Sequence, residues 1–283
     1  MPRSHVWRVS DPSKSSKIEA VKIDGRSSTF HDFSSRFPDG VFTTFRTFEH
    51  NKIVRLESHF RRLEESAHLL NKPIKLNYSL IKDALREVVE LSKEQDLRIR
   101  LTINLDSDPT AIYISKEQLV TPSLEDYEKG VITVTQDAIR INPKAKLTAF
   151  LQTAEIIRGE NPNNVNEVLL VNIDDQILEG LSSNFFAVKQ GEIWTEEAQV
   201  LSGTVRSVVL ELAEKSGIQV HRSAIFISEI ENLEEAFLTS TSRMVLPIHK
   251  IDSTIVNTGK PGPITKELRG LYQQEVQSVM VEI

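Results

Sequence analysis

No cysteine occurs among the 283 residues, which excludes a disulfide framework, a thiolate metal site and a cysteine nucleophile, and several enzyme classes with them. No run of 18 apolar residues is present, and the opening stretch MPRSHVWRVSDPSKSS has no apolar core of the kind that directs secretion. A soluble, cytoplasmic protein without membrane contact is the expectation. An excess of positive charge is also missing: the formal net charge of −6 argues against a nucleic-acid partner. The chain shows no internal repeat or low-complexity tract, and no metal is expected. What remains is ordinary globular composition, 39% hydrophobic and 26% charged, at a length that suits one large or two medium domains.

The first third alternates strand and helix signals. VFTTFRTF (41–48) is aromatic and β-branched, and EHNK separates it from IVRL, which predicts a hairpin. Leu56, Phe60, Leu63, Ala67 and Leu70 then repeat at spacings of four and three, an amphipathic helix that must end before Pro73. A second helix is predicted from Tyr78 to about Lys93. In LRIRLTINL, Leu97, Ile99, Leu101, Ile103 and Leu105 fall on one face of a strand, and Arg98, Arg100, Thr102 and Asn104 on the other. Between Pro122 and Pro143 the pattern thins to one short strand, VITVT. Expected boundaries are therefore an N-terminal α+β domain at 1–125, a linker at 126–140 and a C-terminal domain at 141–283. In the second half, a helix over 148–158, the strand VLLV, a hairpin in NFFAVKQGEIWT, a helix through Val205, Val208, Val209 and Leu212, and a last helix over about 265–279 complete an α+β reading.

Five stretches could carry chemistry. ILEGLSSNFFAV (177–188) sets an acid, a glycine and three small polar residues between two apolar segments, as either a solvated hairpin end or a site that wants a buried carboxylate. LSGTV (201–205) precedes a helix, where Ser-Gly is either a simple cap or part of an anion site built on unpaired N–H groups. TSTS (239–242) is either a turn or a cluster of hydroxyl donors. In SHFRRLEESA (58–67), Arg61 and Arg62 are either solvated partners of Glu64 and Glu65 or ligands, and His59 is either structural or catalytic. Lys146, in KAKLTAF, is either a surface lysine or a nucleophile.

Order and spacing connect them. DGVFTTFR (39–46), HFRRLEESA (59–67), the lysine at 146, EGLSSNFFAV (179–188), LSGTVRSVVLELA (201–213) and EEAFLTSTSRMVLPI (234–248) resemble, in family order, the fold-type IV pyridoxal-phosphate enzymes, also called class IV aminotransferases. These comprise branched-chain aminotransferases, D-amino-acid aminotransferases and aminodeoxychorismate lyase, and the resemblance spans roughly residues 36–250. It implies a smaller N-terminal α/β sandwich and a larger C-terminal pseudo-barrel, a homodimer, and pyridoxal 5'-phosphate between the two domains. Lys146 then resembles the Schiff-base lysine that also moves the proton, with Lys144 as its rival. Glu179 resembles the carboxylate on the pyridine nitrogen, whose anion keeps that nitrogen protonated. Arg62, the amides of Thr204 and Val205, and Thr241 match the phosphate ligands; the family usually has threonine where Val205 stands.

For substrate, the resemblance puts Phe42, Arg46, Arg98, Ser240, Ser242 and Arg243 near the reacting molecule. Phe42, Arg46 and Arg98 match the branched-chain pattern. The Arg-x-His carboxylate trap of D-amino-acid aminotransferases is replaced by Ile103 and Leu105, and the serine-arginine-glycine of the lyase by Ile103-Asn104-Leu105. Arg243 fits none of the subfamilies, and either meets a substrate carboxylate or lies on the surface. An aminotransferase acting on an α-amino acid and a 2-oxo acid, of branched-chain type, is the expectation, with the lyase as alternative and D-amino-acid transamination behind both.

Overall fold

A computed structural model describes residues 5–11, 13–21, 33–34, 36–37, 39–106, 108–161 and 164–283. The chain divides into two compact units, one of Met1–Val120, Ala145–Thr153 and Val279–Ile283, the other of Thr121–Lys144 and Ala154–Ser278.

Unit 1 contains β1 (His5–Val9), β2 (Ile18–Ala20), β3 (Gly40–Arg46), β4 (Lys52–Val54), α1 (Leu56–Leu69), α2 (Tyr78–Glu90), β5 (Leu97–Asn104) and β6 (Asp108–Gln118). Its five-stranded sheet runs β2-β1-β6-β5-β3, with every pair antiparallel. Period-two alternation sorts β3 and β5 into two faces. Val41, Phe45, Ile99, Leu101 and Ile103 pack in one core with Phe60 and Leu63 of α1 and Ile81 and Leu85 of α2, all at 0–1% exposure. The opposite face carries Phe42 across from Thr102, Thr44 across from Arg100, and Arg46 across from Arg98. The predicted hairpin after VFTTFRTF survives only as a single bridge, Phe48 to Lys52; β4 pairs instead with β17 (Met280–Glu282). Residues 145–148 lie along the outer edge of β3: Phe42 N donates to the Lys146 carbonyl at 3.0 Å and Thr148 N to the Gly40 carbonyl at 2.9 Å.

Unit 2 holds α3 (Leu124–Lys129), β7 (Val131–Asp137), most of α4 (Ala149–Gly159), β8 (Glu167–Val171), β9 (Gln176–Gly180), β10 (Asn184–Lys189), β11 (Glu192–Trp194), α5 (Thr204–Lys215), β12 (Val220–His221), β13 (Ile225–Phe226), β14 (Glu235–Ser240), β15 (Met244–Ile251), β16 (Thr254–Ile255) and α6 (Pro263–Val279). Residues 126–140, expected as a linker, therefore comprise the end of α3 and β7, a strand with parallel neighbours on both sides, β15 and β8. Six strands close on themselves: β10-β14-β15-β7-β8-β9, with β9 returning to β10 through the pair Glu179 and Asn184. Closure removes the sheet edge that an open array would expose. The polar interruption in ILEGLSSNFFAV is thus the β9–β10 turn, at the seam of the ring.

Candidate active site

Unit 1 gathers bases. Lys146 is half-buried, its backbone N–H donating to the Ser66 hydroxyl of α1 at 3.1 Å, and its amine stands 4.9 Å from the centre of the Phe42 ring. His59, on α1, is buried, with Nδ1 2.9 Å from the Thr43 hydroxyl. Burial first, and then the positive charges of Arg62 and Lys146, hold its imidazole well below the ordinary 6.5, so it is neutral at physiological pH. Burial pushes the Arg62 guanidinium down to about 10, which leaves it charged. One turn of α1 separates His59 from Arg62, so the spacing in HFRRL aims both from one helix face.

The arginines on the far face of the sheet part company. Arg100 is buried, its guanidinium 4.6 Å from the centre of the same Phe42 ring, with Nε donating to Thr44 Oγ1 at 3.2 Å and Nη1 to Ser34 Oγ at 3.1 Å. Arg98 pairs with Glu117 at 3.4 Å, and Arg46 with Asp96 at 3.2 Å. Phe42, Lys146 and Arg100 are brought together, whereas Arg46 and Arg98 stand further along the strands. Ile103 and Leu105, taken above as the trap positions, turn into the helix-covered core. The face that carries Phe42 presents Thr102 and Asn104 there, neither of which can form a charged clamp.

Unit 2 gathers acids, each with an arginine. Glu179, at the end of β9, is 2% exposed. Its Oε2 accepts from Asn184 Nδ2 at 3.1 Å and from the Leu201 amide at 3.3 Å, and its Oε1 lies 3.2 Å from Nε of the buried Arg140. Two hydrogen-bond donors and a guanidinium thus surround the carboxylate. Asn184 also binds the Leu201 carbonyl at 2.8 Å, and so fixes the loop that leads into α5. That helix begins at Gly203, with no side chain capping it. A Cβ on Gly203 would lie 2.2 Å from Asn184 Oδ1, so the backbone passes too close for any other residue. Thr204 and Val205 follow as the first two helical residues, where amides and dipole favour an anion. Opposite residues of an antiparallel pair share a face, so Glu179, Asn184 and Thr239 line one side of the ring. The Thr239 hydroxyl there is buried and has no hydrogen-bond partner among the described residues. Ser240, Thr241 and Ser242 are half-buried at the following turn. Lys144, the rival lysine, gives its amine to the Glu197 carbonyl.

Arg243 is half-buried, and its guanidinium is engaged within unit 2. Its Nη1 donates to Glu167 Oε2 at 3.1 Å and to Ser182 Oγ at 3.0 Å, and its Nη2 to the Asn166 carbonyl at 3.1 Å. Sequence reasoning had no signal for Arg140, which sits in what looked like linker, or for Glu167, which reads as the polar start of an apolar strand. Arg100 was visible, but shares its face with Arg98, and alternation alone does not rank the two.

The amino-transferase class IV family model matches residues 40–251. The D-alanine aminotransferase of Bacillus licheniformis is 27% identical over 264 residues, which cover 87% of this chain and 91% of that protein. The branched-chain-amino-acid aminotransferase of Pseudomonas aeruginosa is 25% identical over 253 residues, 82% of each chain. Among solved structures, a T.th. branched-chain amino acid aminotransferase with pyridoxamine 5'-phosphate superposes with a TM-score of 0.80 at 21% identity, over 98% of both chains.

Proposed function

The chain belongs to the class IV aminotransferases, which use pyridoxal 5'-phosphate, and from that premise we propose that it exchanges the amino group of a branched-chain L-amino acid with a 2-oxo acid. The residues present fit the cofactor. An uncapped helix start suits its phosphate, the buried Glu179 suits a protonated pyridine, and the unpartnered Thr239 hydroxyl shares Glu179's face. When bound, the cofactor supplies an electron sink for the carbanion left at the substrate α-carbon. In this reading Lys146 Nζ removes and returns the proton at that carbon, and the neutral His59 beside it adds no charge to the amine's surroundings. Glu179 holds the proton on the pyridine nitrogen. Arg62, the Thr204 and Val205 amides and the Thr241 hydroxyl bind the phosphate, with Ser240 and Ser242 beside them. The capture of Lys144 by Glu197 supports Lys146 as the nucleophile.

The observation that carries the branched-chain choice is the Phe42 ring beneath the Lys146 amine, an apolar wall at the reacting group, on a face where Thr102 and Asn104 offer no charged trap. Of the two strand arginines on that face, Arg100 stands against the same ring and Arg98 further along, paired with Glu117. The purified enzyme, tested with L- and D-amino acids against 2-oxoglutarate and pyruvate and beside an aminodeoxychorismate assay, is expected to turn over L-leucine, L-isoleucine or L-valine with 2-oxoglutarate. Turnover confined to D-alanine, or pyruvate release from aminodeoxychorismate alone, would refute the choice.

A further inference from the structure

Glu167 opens β8, and its side chain is completely buried. One oxygen, Oε2, gathers donors from two different turns. From the β9–β10 turn come the Ser182 amide at 3.2 Å, the Ser182 hydroxyl at 2.8 Å and the Ser183 hydroxyl at 2.9 Å. From the β14–β15 turn comes Arg243 Nη1 at 3.1 Å, which also reaches the Ser182 hydroxyl. The first turn follows Glu179 directly. Gly180 presses on Glu167 so closely that an added Cβ would stand 2.6 Å from Glu167 Cγ and 2.4 Å from Ser183 Oγ. In the second turn Arg243 follows Ser240, Thr241 and Ser242 directly, and the Tyr127 hydroxyl pins the Arg243 carbonyl from α3 at 2.9 Å.

We infer that Arg243 and Glu167 form an internal clasp that fixes the Ser240–Ser242 turn against the Glu179 turn, so that Arg243 is a positioning residue for cofactor binding and not a substrate ligand. The argument is one of occupancy and geometry. The guanidinium spends Nη1 on Glu167 and Ser182 and Nη2 on the Asn166 carbonyl, a planar fork of donors that one lysine amine could not reproduce. Breaking a buried, multiply bonded pair leaves the other partner desolvated and alone, so the two turns would lose their common anchor together. The inference rests on cofactor use as proposed above and not on the choice of substrate.

The test is cofactor retention by the holoenzyme during dialysis, read by the visible absorbance of the bound cofactor, together with KM and kcat at saturating pyridoxal 5'-phosphate. Arg243→Ala is expected to raise the cofactor dissociation constant about tenfold or more, the effect of losing hydrogen bonds to a charged partner. Saturating cofactor should then restore kcat to within about threefold, since no group that touches the reacting atoms has been removed. Glu167→Gln should act in the same direction, the double variant should be no worse than the stronger single one, and Arg243→Lys should fall between wild type and Arg243→Ala. Should Arg243→Ala fail to fold, Arg243→Lys and Glu167→Gln carry the same comparison. Unchanged cofactor retention with KM for 2-oxoglutarate raised at least about tenfold would make Arg243 a substrate ligand, and additive effects in the double variant would dissolve the clasp. Loss of all substrate turnover in the wild type, with normal cofactor retention, would count against the substrate proposal and leave this comparison readable.

Discussion

Around Lys146 stand two further bases, His59 and Arg62, held by burial and by strand and helix hydrogen bonds. Around the β9–β10 turn stand two acids, Glu179 and Glu167, each set against an arginine. Crowded bases discourage one another's protonation, and His59 is neutral for that reason as well as for its burial. Each of the two acids is buried against its arginine. The contrast predicts that loss of the Lys146 amine costs little stability, whereas loss of an acid at the β9–β10 turn leaves a buried arginine without its ion pair.

Three substitutions press on that contrast. Lys146→Ala should lower turnover by about a thousandfold or more, the scale of a lost nucleophile and proton carrier, while the urea unfolding midpoint stays within experimental scatter; a comparable loss of stability would erase the asymmetry. Glu179→Gln should strike both properties. Turnover should fall by about a hundredfold, and because buried Arg140 is left facing an amide, unfolding free energy should drop by about 3 kcal/mol. A variant that kept wild-type stability would show that Arg140 does not depend on its partner. The smallest effect is expected at His59. Its folded-state pKa is depressed, so the unfolded chain binds the extra proton first, and stability present above pH 6.5 is lost as pH falls below that value. The slope should approach about 1.4 kcal/mol per pH unit from this one group, and urea titrations of His59→Gln between pH 5 and 7.5 should show a correspondingly flatter profile.

Local pattern made much of the fold legible. The stripe from Leu56 to Leu70 is α1, Tyr78 opens α2, LRIRLTINL is β5 with its faces as read, and the Gln-Gly hairpin turn appears at Gln190 and Gly191 with positive φ of 53° and 71°. Each of these depends on neighbours within a dozen residues. VITVT was legible as a strand, but its place at the heart of a sheet was not, because that is specified by β8 and β15, which lie far off in sequence. The same limit governed the site. Glu179, Lys146 and Arg62 could be named by resemblance, since their motifs are contiguous, but Arg140 and the Leu201 amide beside Glu179, and Ser66 beside Lys146, are supplied by other segments. Arg98 and Arg100 differ only in what stands opposite, Arg46 or Thr44, and that register is set by a strand pairing no spacing rule specifies.

The edge strand at 145–148 and the β4–β17 pair carry a consequence for biosynthesis. A chain emerging from the ribosome in order has made both helices and the whole five-stranded sheet of unit 1 by Val120, yet β3 still lacks the neighbour that bears Lys146, and β4 lacks the one that ends at Glu282. The β3 edge is covered once residues 121–144 have followed, whereas β4 must wait, with an open edge, while the ring of the other unit is translated, and long-range closures of this kind are slow. The segment that bears Lys146 is thus in place before most of the other unit exists, and the β4–β17 pair closes last.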